Sequence, residues 1–334
     1  MSIAARRQSF EDDMPDGFRG LLIEEDRPGY PAEYLYTRLR GRRGQLTSNW
    51  RTLVYAVEPP ESRSRGFGQE RTVEGLWRSL FREHRWIFRQ MNEPLRRAFA
   101  PYFVHAELRT IFVCLRSLAG ENPQKAGDAL LTSLLSDRLK AALSADDAGT
   151  ALLRIEDLLC RVSPLFRGIA ELYRDAGPRA AEQAMTSRLI AAVLAGPLHP
   201  VIRRFFVRMV DSRNILTLYA SLRAERSEPA AFIGGGAIPI GKLQDIQQKG
   251  DLFAVLPLVK QASGIGIPDP EPTQVETALY RGMTKFARIE GRDPLGAGLI
   301  LDYLWRCSLE VTNLSLLLAG KDLDREAVLA ELVY

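Results

Sequence analysis

Apolar residues recur three and four positions apart over most of the chain. Trp77, Leu80, Phe81, His84, Ile87, Phe88, Met91 and Leu95 form one such stripe, the spacing that puts side chains on one face of a helix with 3.6 residues per turn. The strict alternation of a half-buried strand is almost absent, so the pattern predicts an all-α chain. Breaks at Gly120 to Pro123, Ser163-Pro164, Gly177-Pro178, Gly196-Pro197 and Gly264 to Pro272 each predict a helix end. Thr273 and Glu276 have the spacing of a capping box, and Asp293-Pro294 predicts the start of a helix running to about Ala319, closed by Gly320. Residues 1–33 carry no sustained period and read as a polar N-terminal arm, mobile or loosely packed; the folded body is expected from Tyr34.

A weak pattern recurs three times: Glu74 to Glu107, Glu182 to Asp211, and Glu276 to Glu310. In each copy the second acid opens a like segment, Glu107-Leu-Arg-Thr110-Ile111, Asp211-Ser-Arg-Asn214-Ile215 and Glu310-Val-Thr-Asn313-Leu314. Self-similarity at this period predicts a repeated helical unit. The second acid lies on or beside its helix's apolar stripe, where a carboxylate left unpaired would be costly, so it is expected to be tied to an Arg or to a helix N-terminus. Glu74, Glu107, Glu182, Asp211, Asn214, Glu276, Glu310 and Asn313 are therefore read as structural anchors of the repeats.

Composition narrows the class further. A 334-residue chain with 46% hydrophobic and 26% charged residues is long enough for several domains and is neither disordered nor collagen-like. Its net charge is only +4, which by itself demands no polyanionic partner. The basic residues are nearly all arginine, and 15 of them lie between Tyr36 and Arg109 with no lysine and seven acids. That local excess could face phosphate, an acidic protein surface or water. Cys114, Cys160 and Cys307 are odd in number and set in apolar sequence, as core thiols of a reducing compartment are. The first 26 residues do not read as a secretory signal, and the uncharged stretch Ile190 to Leu198 is too short to span a bilayer, so a cytoplasmic protein is expected.

Candidate chemistry is sparse. Gly236-Ala-Ile-Pro-Ile-Gly241-Lys242-Leu243 matches the GxxxxGK part of a phosphate-binding loop. Leu243 stands where that loop needs a hydroxyl for magnesium, and Pro239 removes a backbone donor, so an inter-helix turn is expected. His84, His105 and His199 share no metal spacing, and GxSxG is missing. No catalytic, metal or cofactor site is expected.

Asp211-Ser-Arg-Asn214-Ile-Leu-Thr-Leu-Tyr219-Ala-Ser-Leu-Arg223, the glycine turn Phe232 to Pro239, and Glu310-Val-Thr-Asn313-Leu314 with Gly320-Lys321 resemble the C-subunit family of A-type and V-type ATP synthases, equivalent to the d-subunit of eukaryotic V-ATPases. Tyr34-Leu-Tyr36-Thr-Arg38-Leu-Arg40 resembles that family's opening helix. Thr110, where the later repeats carry Asn, and the arginine-rich stretch Arg63 to Arg71 depart from its pattern.

The resemblance implies three similar helical domains arranged as a funnel around a central cavity. The expected division is the arm 1–33, then repeats 34–143, 144–267 and 268–334, the last packing with the N-terminal helix. It implies a non-catalytic central-stalk component of a rotary ATPase, without cofactor, coupling the rotor axle to the membrane proteolipid ring during proton- or sodium-linked ATP synthesis or hydrolysis. Tyr36, Arg38, Arg40, Arg42 and Arg43 become a possible partner interface, and membrane contact is expected only through partner subunits at the inner (plasma) membrane. The alternative is a helical-repeat scaffold that binds RNA or an acidic protein surface through the arginine-rich 36–109 region; no nucleic acid is expected under the favoured reading.

Overall fold

Helices carry the chain, as its apolar spacing requires. The computed structural model describes residues 17–55, 67, 70–120, 123–224, 230–321 and 323–333. Apart from one isolated antiparallel bridge between Leu22 and Leu135, no strand occurs among them. In chain order the α-helices are α1 (Ala32–Arg43), α2 (Trp50–Tyr55), α3 (Val73–Gln90), α4 (Glu93–Leu118), α5 (Pro123–Thr132), α6 (Asp137–Leu143), α7 (Ala148–Cys160), α8 (Ile169–Ala195), α9 (Pro200–Arg223), α10 (Ile240–Lys249), α11 (Val255–Ser263), α12 (Pro272–Glu290), α13 (Gly298–Ala319) and α14 (Arg325–Glu331).

Local chemistry explains where they start and stop. The apolar stripe that continues through Met91 and Leu95 is cut by Asn92, whose side chain accepts from the Leu95 N–H and caps α4, with Pro94 in the first turn. Asp147 caps α7 and Asp324 caps α14 in the same way. The Gly177-Pro178 break is a kink inside α8 rather than an end: Gly177 takes φ 83° and the helix resumes. Two expectations shift. Residues 293–297 form a turn, with Asp293 accepting from the Leu295 N–H, so α13 begins at Gly298. The Thr273 hydroxyl donates to Glu331 rather than closing a capping box with Glu276.

Contacts divide the chain into two units, Met1–Ala32 with Phe81–Ile202, and Glu33–Leu80 with Arg203–Tyr334. The core of the first unit gathers Phe88, Phe99, Phe103, Leu135, Leu152, Ile155, Phe166 and Ile190, all essentially inaccessible. Each side chain of this size contributes about 1.5 to 3 kcal/mol by leaving water. By length and composition α4 could cross a membrane, yet two-thirds of its apolar window (67%) is buried inside the fold, as in a core helix. Uncharged stretches such as Ile190 to Leu198 point to no segment of that length, because α4 interrupts its apolar run with Arg96, Glu107 and Arg109.

The first unit also holds a segment whose sequence suggests loose packing. Residues 1–16 of the arm lie outside the described residues, but Leu21, Leu22 and Ile23 are buried. Ile23 donates its N–H to the Leu134 carbonyl, and Ser136 donates to the Leu21 carbonyl. Three consecutive apolar residues in a polar arm were the available signal.

In the second unit, Ile215, Leu218, Leu243, Val255, Leu258, Val259, Val275 and Leu279 form one buried cluster from α9 to α12. Around α13, Trp305 packs edge-on to Phe205, stacks on Tyr280 and donates its indole N–H to Thr284. Helix α1 is tied to the same helix: Arg43 pairs with the buried Asp302 at 3.0 Å, and Arg42 reaches the Tyr303 hydroxyl.

Candidate functional site

Three acids from long helices each capture a returning stretch of backbone just ahead of a short helix. On α4, Glu107 accepts from the Leu134 N–H at 2.6 Å and the Ser133 hydroxyl at 2.8 Å, three residues before α6 begins. On α9, Asp211 accepts from the Ile238 N–H at 3.0 Å, two residues before α10. On α13, Glu310 accepts from the N–H and hydroxyl of Thr47 at 2.8 and 2.9 Å, three residues before α2. All three carboxylates are buried, at 1%, 4% and 2% exposure. The expected Arg or helix-terminus partner is replaced by loop amides and hydroxyls, which satisfy a buried acceptor without adding a second buried charge.

Three residues after the acid, one turn along the same face, a second polar side chain completes two of these latches. Asn214 donates to the Ile233 carbonyl and accepts from the Ile233 N–H, both at 2.8 Å. Asn313 does the same with Val333, at 2.7 and 3.2 Å. A carboxamide carries both donor and acceptor, so it can pair with one peptide unit as a strand would. Thr110 cannot; its hydroxyl instead bonds Glu107 itself.

Burial pushes the carboxyl groups of Glu107, Asp211 and Glu310 above their ordinary values, while the bonds they accept act in the opposite direction. The first acids of the repeats are placed differently. Glu74 and Glu276 are exposed, whereas Glu182 pairs with Arg116 at 2.5 Å beside a shallow apolar cleft lined by Phe112, Leu152, Tyr173 and Met185. The structure therefore brings Glu107, Asp211, Asn214, Glu310 and Asn313 to backbone captures, and Glu74, Glu182 and Glu276 to none that match them.

The phosphate-loop resemblance has a physical explanation. The loop does aim backbone donors at an anion, and that anion is Asp211: the Ile238 and Ala237 N–H groups both bond its carboxylate. A side chain on Gly236 would collide with the same carboxylate oxygen. Lys242 lies outside this cradle, its amine 3.4 Å from Gln261.

The proposed interface residues of α1 are engaged within the second unit. Tyr36 is buried, and burial raises its phenol. Arg38 bonds and overlies Tyr34, Arg40 donates to the Pro294 carbonyl, and Arg42 and Arg43 hold α13. Cys114 and Cys307 are buried and Cys160 half-buried, and none forms a disulfide; burial pushes the Cys114 thiol up to about 12, far from a reactive thiolate. His84 is enclosed by Phe81, Tyr102 and Phe103 with neither ring nitrogen bonded, and burial lowers it to about 4. Among the described residues no group of three or more His, Cys, Asp or Glu side chains could hold a metal ion.

Sequence reasoning missed Thr47, a polar residue in a connecting turn with no pattern to mark it. It also missed Arg96, buried at 2% exposure, which bonds the Phe88 and Arg89 carbonyls at the end of α3.

The three latches share one layout: acid on a long helix, captured loop, short helix. A family model described as ATP synthase (C/AC39) subunit matches residues 55–331, which include all three latch acids. A search of curated proteins finds no match. With more than four-fifths of its length inside that match, the chain belongs to the ATP synthase (C/AC39) subunit family, whose members are central-stalk components of A/V-type ATPases.

Proposed function

We propose that this chain is a non-catalytic coupling element that joins the rotor axle to the membrane proteolipid ring of a rotary ATPase during proton- or sodium-linked ATP synthesis or hydrolysis. The observation that carries this reading is the family match across residues 55–331. The latch geometry supports it. The buried carboxylates spend their hydrogen-bonding capacity on the protein's own backbone, which suits a body that must transmit force without local yielding. In this reading the repeats 34–143, 144–267 and 268–334 build a three-part funnel that receives the axle, with the chain on the cytoplasmic side and held at the membrane through its partners. Exposed side chains of α1, Arg38 among them, contribute to the partner surface.

The test is affinity capture of a tagged chain from membranes of its host after mild detergent extraction. Co-recovery of axle and proteolipid subunits in fixed proportion is the expected result. Recovery without either of these, or with nucleic acid in their place, would overturn the assignment.

A further inference from the structure

We propose that the face of the first unit formed by the end of α3, the start of α4 and the Ser133–Ser136 segment is a peptide-binding site, filled in cis by residues 17–31 of the same chain. The ligand class is a segment that opens with a 3-10 turn over Gly17–Leu21 and continues without helix, with three consecutive apolar residues between a cation and an anion. This inference is independent of the proposed coupling role.

Residues 17–31 engage that face as a docked peptide does. At one end the Arg19 guanidinium pairs with Glu93 at 3.2 Å and lies 5.3 Å from the centre of the Phe88 ring. In the middle, Leu21, Leu22 and Ile23 are buried, and their backbone pairs with the Ser133–Ser136 segment through an antiparallel bridge between Leu22 and Leu135. Ile23 donates to the Leu134 carbonyl at 2.8 Å, and the Leu21 carbonyl accepts from Ser136 at 2.9 Å. Main-chain pairing with buried side chains between is the recognition mode of strand addition. At the far end Glu25 pairs with Arg89 at 2.7 Å, and the Arg27 carbonyl accepts from Arg96 at 3.0 Å. The Tyr30 N–H reaches the Gln90 carbonyl, and Gly29, at φ 81°, passes so close to the Met91 carbonyl that a Cβ would collide with it.

The receiving face is organised by bonds of its own. Glu107 holds the Leu134 N–H and the Ser133 hydroxyl, which leaves the Leu134 carbonyl and the Ser136 N–H for the incoming segment. Arg96 is fixed by the Phe88 and Arg89 carbonyls as well as by Arg27. Phe88, Arg89, Glu93, Arg96 and Leu134 to Ser136 lie inside the stretch that the family model describes, and residues 17–31 lie outside it. The docked segment therefore guards an edge belonging to the family body, and a partner segment of the same pattern gains that edge only when residues 17–31 leave.

Two measurements on the full chain test this. In native-state hydrogen exchange, the Ile23 and Ser136 amides should exchange at least tenfold faster than the core amides of α4, through local opening. Exchange of all of them at the single rate of global unfolding would overturn the proposal. In the second, the Leu22→Asp chain should bind a fluorescent synthetic peptide of residues 17–31 at least tenfold more tightly than the wild-type chain does, because its own segment no longer competes. Adding Arg89→Glu should abolish that binding, and a peptide carrying Glu25→Arg should restore it. A Leu22→Asp chain that loses its cooperative fold, or that stays folded and ignores the peptide, would show that residues 17–31 are inseparable from the core. Concentration-dependent dimers of the wild-type chain formed by exchange of this segment would overturn its placement in cis.

Discussion

Glu107 and Glu310 occupy matching places on two long helices, yet they reach their donors over very different lengths of chain. Glu107 takes its donors from 26 and 27 residues away, whereas Glu310 takes both of its own from Thr47, 263 residues away. On the logarithmic law for closing a flexible loop, that difference is about 2 kcal/mol of extra ordering. The second unit offsets it with tethers that bring the segment near α13 beforehand: Arg43 to Asp302, Arg40 to the Pro294 carbonyl, and Tyr55 to Glu326. One chemical device thus serves a local turn in one case and the joining of distant segments in the other. The latch itself does not set the distance; the surrounding helices do.

The largest expected effects come from removing the acids. Glu107→Ala should lower stability by about 4 kcal/mol and Glu310→Ala by about 3 kcal/mol, because each removes the acceptor of two or more donors, which are buried for Glu107 and half-buried for Glu310. Denaturant midpoints of the isolated protein measure both. The comparison sharpens under limited proteolysis, where Glu310→Ala should open the 44–49 turn to cleavage and Glu107→Ala should leave it intact. Wild-type midpoints in both variants, with assembly into the host complex lost, would instead make these acids partner contacts.

His84 sets the first unit apart by its response to acid. Its folded value near 4 lies below its ordinary 6.5, so the neutral ring favours the fold above pH 6.5. That stability is lost as pH falls from 6.5 towards 4, by up to about 3 kcal/mol. His84→Phe, among three aromatic rings, should flatten this part of a melting-temperature profile. An unchanged slope would place the acid sensitivity elsewhere.

The latch carboxyls carry the opposite sign. Raised by burial, they favour the fold when protonated, and that contribution fades as pH rises through their folded values. Glu107→Gln and Glu310→Gln should each cost less than about 1 kcal/mol at neutral pH, since the amide oxygen still accepts from the loop N–H. Relative to these variants the wild type should gain stability on mild acidification, and a relative loss in chemical denaturation between pH 7 and 5 would contradict the assignment. The smallest effect is expected at Lys242, where replacement by alanine should change stability by less than about 0.5 kcal/mol. Calorimetry with Mg-ATP should register no heat for either form, because Asp211 already occupies the loop's donors.

Much of this was legible in the residues. The helical class and the C-terminal cap at Gly320 follow from local spacing and backbone restriction, whereas Gly177-Pro178, which reads as a helix end, kinks α8 without ending it. The acids at 107, 211 and 310 stood out because a carboxylate on an apolar stripe must find partners. What those partners would be was not legible. Thr47 and Ser133 are ordinary turn residues, and their roles depend on where a loop returns rather than on any local pattern. The burial of Leu21 to Ile23 was hidden for a related reason: a three-residue apolar run is too short to show a period.

The sequence by itself determined the helices, their breaks and the positions where buried charge would have to be answered, because periodicity, capping and desolvation act within a turn or two of the chain. The tertiary structure alone decided which groups answer each charge: the Ser133 hydroxyl and Leu134 N–H for Glu107, the Ala237 and Ile238 N–H groups for Asp211, and the Thr47 N–H and hydroxyl for Glu310. A peptide N–H is the same donor at every residue, so only the packing of helices distant in sequence selects one from another.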